Sequence, residues 1–357
     1  MIRIINMSRL NMAKKINSLI ISQPGEVEVT ETAFPLPGQG EVLLKLKYVG
    51  FCGSDLSTYL GKNPMVQYPR VPGHEISAEI VETGEEVPEG FEPGLPVTAV
   101  PYTNCGRCPS CRRGREYACQ FNQTLGVQRD GAMQEYLVLP WQKIIKAPRL
   151  NAKELALVEP LTVGFHAIER GRVTNDDTVM VLGCGMIGAG AIIAAAARGA
   201  TVIAVDIDDQ KLLLAKNLGA RFLVNSKESD LHHMIMELTT GDGPDVVVEA
   251  AGNPVTYRAA IDEVSFTGRV LCIGYTGQEV SFATRLFVQK ELDIMGSRNA
   301  RAEDFRAVIS YLEKGQFPLD RMITRQVSLE EAGETLRQWA DDPGKVMKIL
   351  LDLSLQA

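Results

Sequence analysis

Four cysteines lie within fifteen residues of the chain, at the spacing C-x2-C-x2-C-x7-C: Cys105, Cys108, Cys111 and Cys119. This spacing lets four thiolates converge on one tetrahedral zinc ion, which binds sulfur at roughly 2.3 Å in closed structural sites. The alternative is a pair of disulfides, which requires an exported protein, and residues 1–17 lack the continuous apolar segment of a signal peptide. The motif therefore predicts a structural zinc site.

A second set of metal-ligand residue types lies earlier in the chain. Cys52 stands in the segment C-G-S-D, and His74 and Glu75 stand in P-G-H-E. Neither segment is diagnostic alone, because buried cysteines and core histidines are common in proteins that bind no metal. Their joint occurrence upstream of a cysteine loop and a nucleotide motif favours metal ligation over these alternatives.

A glycine motif, G-x-G-x-x-G, occupies Gly183, Gly185 and Gly188 directly after the apolar segment Thr178–Leu182. In a strand-turn-helix context, the glycines allow a tight turn, backbone approach to a pyrophosphate and close helix packing. Asp206 follows at the end of the next apolar segment, where a carboxylate binds ribose hydroxyls and disfavours a 2′-phosphate. The alternative is that Asp206 only caps the following helix. The motif predicts NAD binding.

The elements that must position these residues change in character along the chain. Residues 18–50 alternate apolar and polar positions between Pro- and Gly-rich turns, which predicts antiparallel strands, and short strands continue to about residue 150. From Thr178 onward, apolar segments alternate with helix-period segments, which is typical of buried parallel strands in a doubly wound sheet. We predict a mostly-β domain and an α/β domain.

Composition limits the classes of partner. The 357 residues are 45% apolar and carry a net charge of −7, with no Lys/Arg-rich run, so nucleic acid and anionic membranes are not expected partners. The longest apolar stretch, Ala189–Ala197, falls short of the ~20 residues of a membrane span. We expect a soluble, cytoplasmic protein with a small-molecule ligand, and assign no function to residues 1–12.

The motifs between Cys52 and Arg298 together resemble the zinc-dependent medium-chain dehydrogenase superfamily, whose architecture would cover nearly the whole chain. The resemblance implies an α/β fold in which a mostly-β, GroES-like catalytic domain contains an inserted Rossmann domain with a doubly wound parallel sheet. The catalytic domain would comprise residues 1–160 and 300–357. The NAD-binding Rossmann domain would comprise residues 161–299.

The resemblance also implies roles for residues near the catalytic zinc. Cys52 and His74 match zinc ligands, Glu75 matches a nearby or alternating carboxylate ligand, and Asp55 matches a residue that supports the histidine. Glu159 matches the position where simple alcohol dehydrogenases have cysteine and the polyol, sugar-acid and threonine branches have glutamate. The alternative for Glu159 is a first-turn helix carboxylate. Which of the two glutamates is the direct third ligand stays open.

Proton transfer and substrate binding are implied in the same way. Ser54 resembles the family's Ser/Thr that takes the alcohol proton, but Ser57 stands where a histidine commonly ends that relay. Serine does not titrate near neutral pH, so water or another residue must accept the proton. Arg298 matches an active-site arginine of polyol dehydrogenases and could bind a substrate carboxylate. Arg70 could also bind a substrate carboxylate. For this residue, an ion pair within the protein is an equally good interpretation.

Beyond the glycine motif and Asp206, the family match implies further cofactor contacts at Met186, Ile187, Lys211, Gly274 and Ser297.

The predicted activity is the NAD-dependent oxidation of a secondary hydroxyl in a polyol or sugar acid, such as sorbitol, gulonate or galactonate, to a ketone. One alternative is L-threonine 3-dehydrogenase, and another, of a different class, is a catalytically weak sensor that binds NAD or a sugar acid. The last predicted strand, Leu292–Met295, would have an unpaired edge unless another subunit covered it, which predicts a homodimer or homotetramer.

Overall fold

The computed structural model describes residues 14–355. The interpretation of residues 1–12 therefore lies outside the described residues. The described chain forms two compact units. The first comprises the described residues up to Glu159, Ile309–Gly315 and the described residues from Leu319 onward. The second comprises Pro160–Val308 and Gln316–Pro318.

The strands, in chain order, are β1 (Lys15–Gln23), β2 (Glu26–Ala33), β3 (Glu41–Gly50), β4 (Glu75–Thr83), β5 (Pro96–Ala99), β6 (Tyr102–Thr103), β7 (Gln123–Thr124), β8 (Tyr136–Pro140), β9 (Ile144–Lys146), β10 (Thr178–Leu182), β11 (Thr201–Asp206), β12 (Phe222–Asn225), β13 (Val246–Glu249), β14 (Arg269–Cys272), β15 (Asp293–Gly296), β16 (Arg325–Val327) and β17 (Ile349–Asp352). The α-helices are α1 (Gly53–Tyr59), α2 (Pro109–Arg112), α3 (Ala152–Arg170), α4 (Met186–Ala197), α5 (Asp209–Asn217), α6 (Leu231–Leu238), α7 (Pro254–Glu263), α8 (Arg285–Gln289), α9 (Ala302–Leu312), α10 (Leu319–Met322) and α11 (Ala332–Asp341). Short 3-10 helices cover Glu116–Ala118, Trp141–Lys143 and Pro343–Lys345.

The first unit is built on a mixed sheet with the strand order β16-β17-β3-β4-β5-β9, and β8 also pairs with β3. Strand β3 is central, and its side chains Val42, Leu44, Leu46 and Val49 are buried in the core of the unit. Two ribbons, β1-β2 and β6-β7, complete its strand pairing among the described residues. The segment with Cys52 follows β3, and the segment with His74 leads into β4. The sheet therefore fixes the backbone of both segments.

The second unit contains a parallel sheet with the strand order β12-β11-β10-β13-β14-β15. The order reverses between β10 and β13, which is the topological switch point where such sheets bind ligands. Strands β10 and β13 are almost entirely buried, as continuous apolar segments require. The predicted α/β class with a doubly wound parallel sheet is confirmed.

Small residues allow two helices of the second unit to pack closely. A Cβ on Gly164 of α3 would lie 2.2 Å from the backbone N of Ala191 in α4, and one on Gly190 would lie 2.4 Å from the carbonyl oxygen of Leu161. Backbone therefore packs on backbone at this crossing. The Ala- and Gly-rich sequence of α4 thus reflects close packing on α3 as well as its place after the glycine motif.

Aspartates support the starts of two elements in the second unit. Helix α6 begins at Leu231, where Asp230 accepts a hydrogen bond from the backbone N–H of His233. Strand β13 begins at Val246, and the side chain of Asp245 just before it accepts from Thr178 N–H at 2.7 Å. Within residues 14–355, no helix has the length and apolarity that crossing a membrane would require.

Candidate metal centres and nucleotide site

The four-cysteine motif forms a compact sulfur cluster in the first unit. The ligand atoms of Cys105, Cys108, Cys111 and Cys119 all lie within 4.8 Å of one another. The sulfur of Cys108 lies 3.4 Å from that of Cys111 and 3.8 Å from that of Cys119, and these four cysteines form no disulfide. Four thiolates at ~2.3 Å from a tetrahedral ion would be separated by ~3.8 Å, whereas bonded sulfurs lie ~2.05 Å apart. The spacing therefore fits a zinc ion.

Backbone N–H groups around the cluster favour thiolate. Gln120 N–H donates to the sulfur of Cys108 at 3.5 Å, and Cys108 N–H donates to that of Cys105 at 3.3 Å. Hydrogen bonds from the backbone of Cys111 and Gln120 lower the pKa of Cys108 to about 6. Burial raises the pKa of Cys111 to about 12, so without a cation the cluster does not carry four negative charges. A divalent cation would stabilise all four as thiolates.

The second candidate metal centre brings together Cys52, His74 and Glu75. Their ligand atoms lie within 4.8 Å of one another. Cys52 is the N-cap residue of α1, His74 follows Gly73, whose φ is +95°, and Glu75 is the first residue of β4. His74 and Glu75 are buried. Among residues 14–355, this set and the four cysteines are the groups of three or more such ligands that meet this distance.

Asp55 connects the turn that carries Cys52 with the turn that carries His74. It is completely buried, and its carboxylate accepts hydrogen bonds from the backbone N–H of Cys52 at 2.9 Å and of Gly73 at 3.2 Å. Asp55 is predicted to support the histidine. Its hydrogen bonds reach the backbones of Cys52 and of the residue before His74, so one side chain fixes the positions of both ligand residues.

Lys348 was not identified from the sequence. Its ammonium group is 2.6 Å from both carboxylate oxygens of Glu75 and 2.9 Å from the carbonyl oxygen of Phe51, and it is buried. Gly50 leaves room for this pair, because a Cβ there would lie 1.9 Å from a Glu75 oxygen. Burial raises the pKa of Glu75 to about 7, against the opposing effect of Lys348. The sequence signal that could have identified Lys348 is a lysine within an apolar segment, because such a lysine is buried only when it has a partner.

Glu159 is the other buried carboxylate at this site. It is 4% exposed, and its carboxylate accepts a hydrogen bond from the hydroxyl of Tyr102, also unrecognised in the sequence. Glu159 does not meet the distance limit of the Cys52 set. Its charge nevertheless acts on that set: burial opposes protonation of His74, but the charges of Cys52 and Glu159 raise the pKa of His74 well above its ordinary value.

The electrostatics and donor types of this centre fit a zinc ion. A thiol, an imidazole and carboxylates are the ligand types of zinc, and several anionic groups are buried around one histidine. Two polar atoms at the centre are buried without a hydrogen-bond partner among the described residues, namely Ser54 Oγ and His74 Nδ1. Such orphaned atoms are uncommon in native interiors unless a ligand, ion or water completes the site.

Ser54 and Ser57, the two serines of the predicted proton relay, lie on α1 and are both partly buried. Arg70, which could also bind a substrate carboxylate, already has partners in the first unit. Its guanidinium pairs with Asp130 at 2.6 Å and donates to the carbonyl oxygen of Gln67 at 3.3 Å. The ion-pair alternative therefore accounts for Arg70.

The glycine turn of the second unit has the geometry that a dinucleotide requires. Gly183 has φ +94°, which favours glycine, and a Cβ on Gly188 would lie 1.9 Å from the carbonyl oxygen of Gly183. At Gly185, the N-cap of α4, an added Cβ would meet nothing within 4 Å. The backbone is therefore open at the helix N-terminus, where orphan N–H groups of Met186 and Ile187 could bind a phosphate.

Asp206 lies beside this turn at the end of β11. One carboxylate oxygen accepts from Cys184 N–H at 2.7 Å, and the other accepts from the N–H groups of Ile207 at 2.8 Å and Asp208 at 3.1 Å. The capping alternative is not what the structure has, because Asp208 is the N-cap of α5 and accepts from the backbone of Gln210 and Lys211. Asp206 is thus held next to the glycine turn, as ribose binding requires.

Lys211, another predicted cofactor contact, lies in the first turn of α5, whereas Gly274, Ser297 and the predicted substrate residue Arg298 lie after strands beyond the switch point. Gly274 follows β14, and Ser297 and Arg298 follow β15, at the carboxyl ends where doubly wound sheets bind ligands. The hydroxyl of Ser297 is buried and has no hydrogen-bond partner among the described residues. Arg298 is partly buried. An unsatisfied hydroxyl at this edge fits a polar ligand.

Comparisons with known proteins agree with this geometry. The family model described as zinc-binding dehydrogenase matches residues 187–314, and the alcohol dehydrogenase GroES-like domain matches residues 38–149. The chain is 33% identical to the L-galactonate-5-dehydrogenase of Escherichia coli, covering 90% of this chain and 94% of that enzyme. It is 34% identical to the L-threonine 3-dehydrogenase of Pyrococcus horikoshii, covering 95% and 100%. The crystal structure of an Escherichia coli alcohol dehydrogenase (rspB), complexed with NADH, matches with a TM-score of 0.87 at 31% identity, covering 95% and 99%.

These likenesses extend over nearly the whole chain, and the chain belongs to the zinc-dependent medium-chain dehydrogenase superfamily. Within the superfamily it falls in the branch of polyol and threonine dehydrogenases. This membership confirms the predicted GroES-like and Rossmann folds and the predicted zinc and NAD cofactors. It also confirms that the protein is an NAD-dependent alcohol dehydrogenase that acts on a CH–OH group. Its substrate is a small molecule of the polyol, sugar-acid or threonine type.

Proposed function

We propose that this enzyme oxidises a secondary hydroxyl of a polyol or sugar acid to a ketone with NAD. The observation that carries the proposal is the buried Glu159 carboxylate, whose charge acts on His74 at the candidate catalytic centre. Carboxylate in place of a second thiolate makes a harder zinc site, which suits a substrate that offers several hydroxyl oxygens.

In the proposed site, Cys52, His74 and Glu159 hold the catalytic zinc, and Glu75 is an auxiliary carboxylate. We assign Glu75 the auxiliary role because Lys348 already binds both of its oxygens at 2.6 Å. The four cysteines hold the structural zinc. When bound, the catalytic zinc supplies an electrophile for a hydroxyl oxygen, and NAD supplies the hydride acceptor.

The chain's own residues orient the reactants and move the proton. Ser54 has a buried hydroxyl without a described partner, and we propose that it accepts the hydrogen bond of the substrate hydroxyl. As Ser54 takes that proton it gives its own hydroxyl proton to water or to another acceptor, so it relays one proton and keeps none in excess. Arg298 binds the substrate carboxylate where the substrate is a sugar acid. NAD contacts Gly183, Gly185 and Gly188, and it also contacts Met186, Ile187, Asp206, Lys211, Gly274 and Ser297. The catalytic domain is residues 1–160 with 300–357, and residues 161–299 bind NAD.

A substrate panel tests this function. The purified enzyme is assayed for NAD reduction with sorbitol, L-gulonate, L-galactonate and L-threonine under identical conditions. We expect the largest kcat/KM for a polyol or a sugar acid. Arg298→Gln should raise the KM for the sugar acids and leave that for sorbitol little changed. Highest kcat/KM for L-threonine would contradict the proposal, and so would the absence of turnover with every compound, which a sensor would give.

L-Threonine 3-dehydrogenase is the second candidate. It is favoured by the 34% identity to the Pyrococcus horikoshii enzyme over 351 residues, and Glu159 is compatible with it. The same panel separates the two candidates, because threonine offers an ammonium group beside its hydroxyl. Threonine also carries a carboxylate that an arginine can bind, so Arg298 does not by itself separate the two candidates and the relative kcat/KM values decide.

We further propose that the enzyme is a homodimer or homotetramer. Strand β15 lies at the edge of the parallel sheet, and Ile294 within it is 44% exposed. An uncovered edge with an apolar side chain is a usual site of twofold strand pairing between subunits. Sedimentation at micromolar concentration should give at least a dimer. A monomer under these conditions would exclude this assembly.

A further inference from the structure

Tyr102 lies at the candidate catalytic centre although its position in the sequence belongs to the cysteine loop. It is 6% exposed, and its hydroxyl donates a hydrogen bond to the carboxylate of Glu159. Cys105 follows only three residues later. One short segment therefore connects the structural metal loop with a carboxylate of the catalytic centre.

The backbone of Tyr102 is held from two sides. Strand β6 pairs with β7 across the base of the cysteine loop, where Tyr102 is opposite Thr124. The carbonyl oxygen of Tyr102 also accepts a hydrogen bond from the ammonium group of Lys143. Because the backbone on both sides of the loop is fixed, the phenol has a defined position from which to orient Glu159.

The two carboxylates at the centre are held by different kinds of donor. Glu75 is bound by the cationic Lys348, whereas the hydroxyl that Tyr102 donates to Glu159 carries no charge. A phenol carries its proton near neutral pH, so the hydroxyl of Tyr102 is a donor to Glu159. A neutral donor can fix the direction of a carboxylate and leave its negative charge available to a cation.

We propose that Tyr102 is a positioning residue that orients Glu159 for the catalytic zinc through its phenol hydrogen bond. This inference rests on the proposed role of Glu159 as a zinc ligand. Tyr102 acts on the metal only through Glu159. Removing the phenol should therefore weaken the catalytic site selectively, without affecting the sulfur ligands of the structural site.

The test compares Tyr102→Phe with Tyr48→Phe. Tyr48 is the control, because it lies opposite Asp352 in the sheet of the first unit, and burial and that carboxylate raise the pKa of its phenol to about 12. Zinc affinity is measured by competition with a chromophoric chelator, and the cobalt-substituted proteins are compared by visible absorption. We expect Tyr102→Phe to bind the catalytic zinc about 10- to 100-fold less tightly, which is the usual effect of losing a hydrogen-bond partner of a metal ligand. Tyr48→Phe should match the wild type.

A double-mutant cycle separates positioning from a general effect on folding. In a Glu159→Ala background, Tyr102→Phe should cause no further loss of zinc affinity, because the group on which it acts is gone. An unchanged affinity in the single variant would overturn the inference, as would an equal loss in both backgrounds. Failure of the premise is distinct: if Glu159 does not bind the zinc, Glu159→Ala alone leaves the zinc affinity of the catalytic site unchanged. Failure of the proposed substrate class appears only in the substrate panel and leaves both zinc affinities measurable.

Discussion

Cys52→Ser is expected to abolish NAD reduction while leaving the cysteine-loop zinc in place. Cys52 supplies the sulfur of the candidate centre, within 4.8 Å of the ligand atoms of His74 and Glu75. A serine hydroxyl is a poor zinc ligand at neutral pH, so the electrophile is lost. We expect kcat/KM to fall by roughly a thousand-fold or more, and zinc to fall from two ions per chain to one. Steady-state kinetics and elemental analysis measure both changes.

Cys272→Ser is the matched control for this experiment. Cys272 is a partly buried free thiol at the end of β14 and belongs to neither of the two candidate metal centres. The same chemical change there should leave two zinc ions per chain and change kcat/KM by only a few-fold. If Cys52→Ser retained wild-type turnover, Cys52 would have no role in catalysis.

Cys111→Ser is expected to cause the largest loss of stability. Cys111 is buried, and its sulfur contacts that of Cys108 at 3.4 Å. The segment from Cys105 to Cys119 has little other core, since the buried cluster there consists of the cysteines themselves. Structural zinc contributes roughly 10–16 kcal/mol of apparent binding free energy in small domains, so the loss of one thiolate should cost several kcal/mol. Thermal unfolding and limited proteolysis of residues 105–119 measure the effect.

Metal chelation provides the control for Cys111→Ser. A strong chelator should lower the melting temperature of the wild type toward that of the variant and should change the variant much less. Cleavage should concentrate in the cysteine loop in both cases, since the rest of the first unit has its own apolar core. A variant with two bound zinc ions and an unchanged melting temperature would contradict a structural role for this loop.

Much of the site could be predicted because its residues are close in sequence or occur in fixed contexts. The cysteine spacing determines how four sulfurs can meet, and the glycine motif places its turn between a buried strand and a helix. Gly183, Gly185 and Gly188 have the geometry these roles require: a positive φ, an open position and a close approach. Such local geometry depends little on the remainder of the fold.

Contacts between distant segments could not be predicted from the sequence. Lys348 is 273 residues from Glu75, and Tyr102 is 57 residues from Glu159, so only the folded sheet brings each pair together. A lysine in an apolar segment signals an unusual burial but does not identify its partner. The same limit applies to Arg70, for which the sequence favours substrate binding and an ion pair equally. Its pairing with Asp130, 60 residues away in the chain, supports the ion pair.

The location of zinc in crystals soaked with NAD tests the central claim most directly. Diffraction data collected at the zinc absorption edge should show one anomalous peak bonded to Cys52 and His74 and another among the four cysteines. Electron density for NAD should follow the turn from Gly183 to Gly188. A missing peak between Cys52 and His74, or a nucleotide bound away from that turn, would contradict the assignment of this site to zinc-dependent alcohol oxidation.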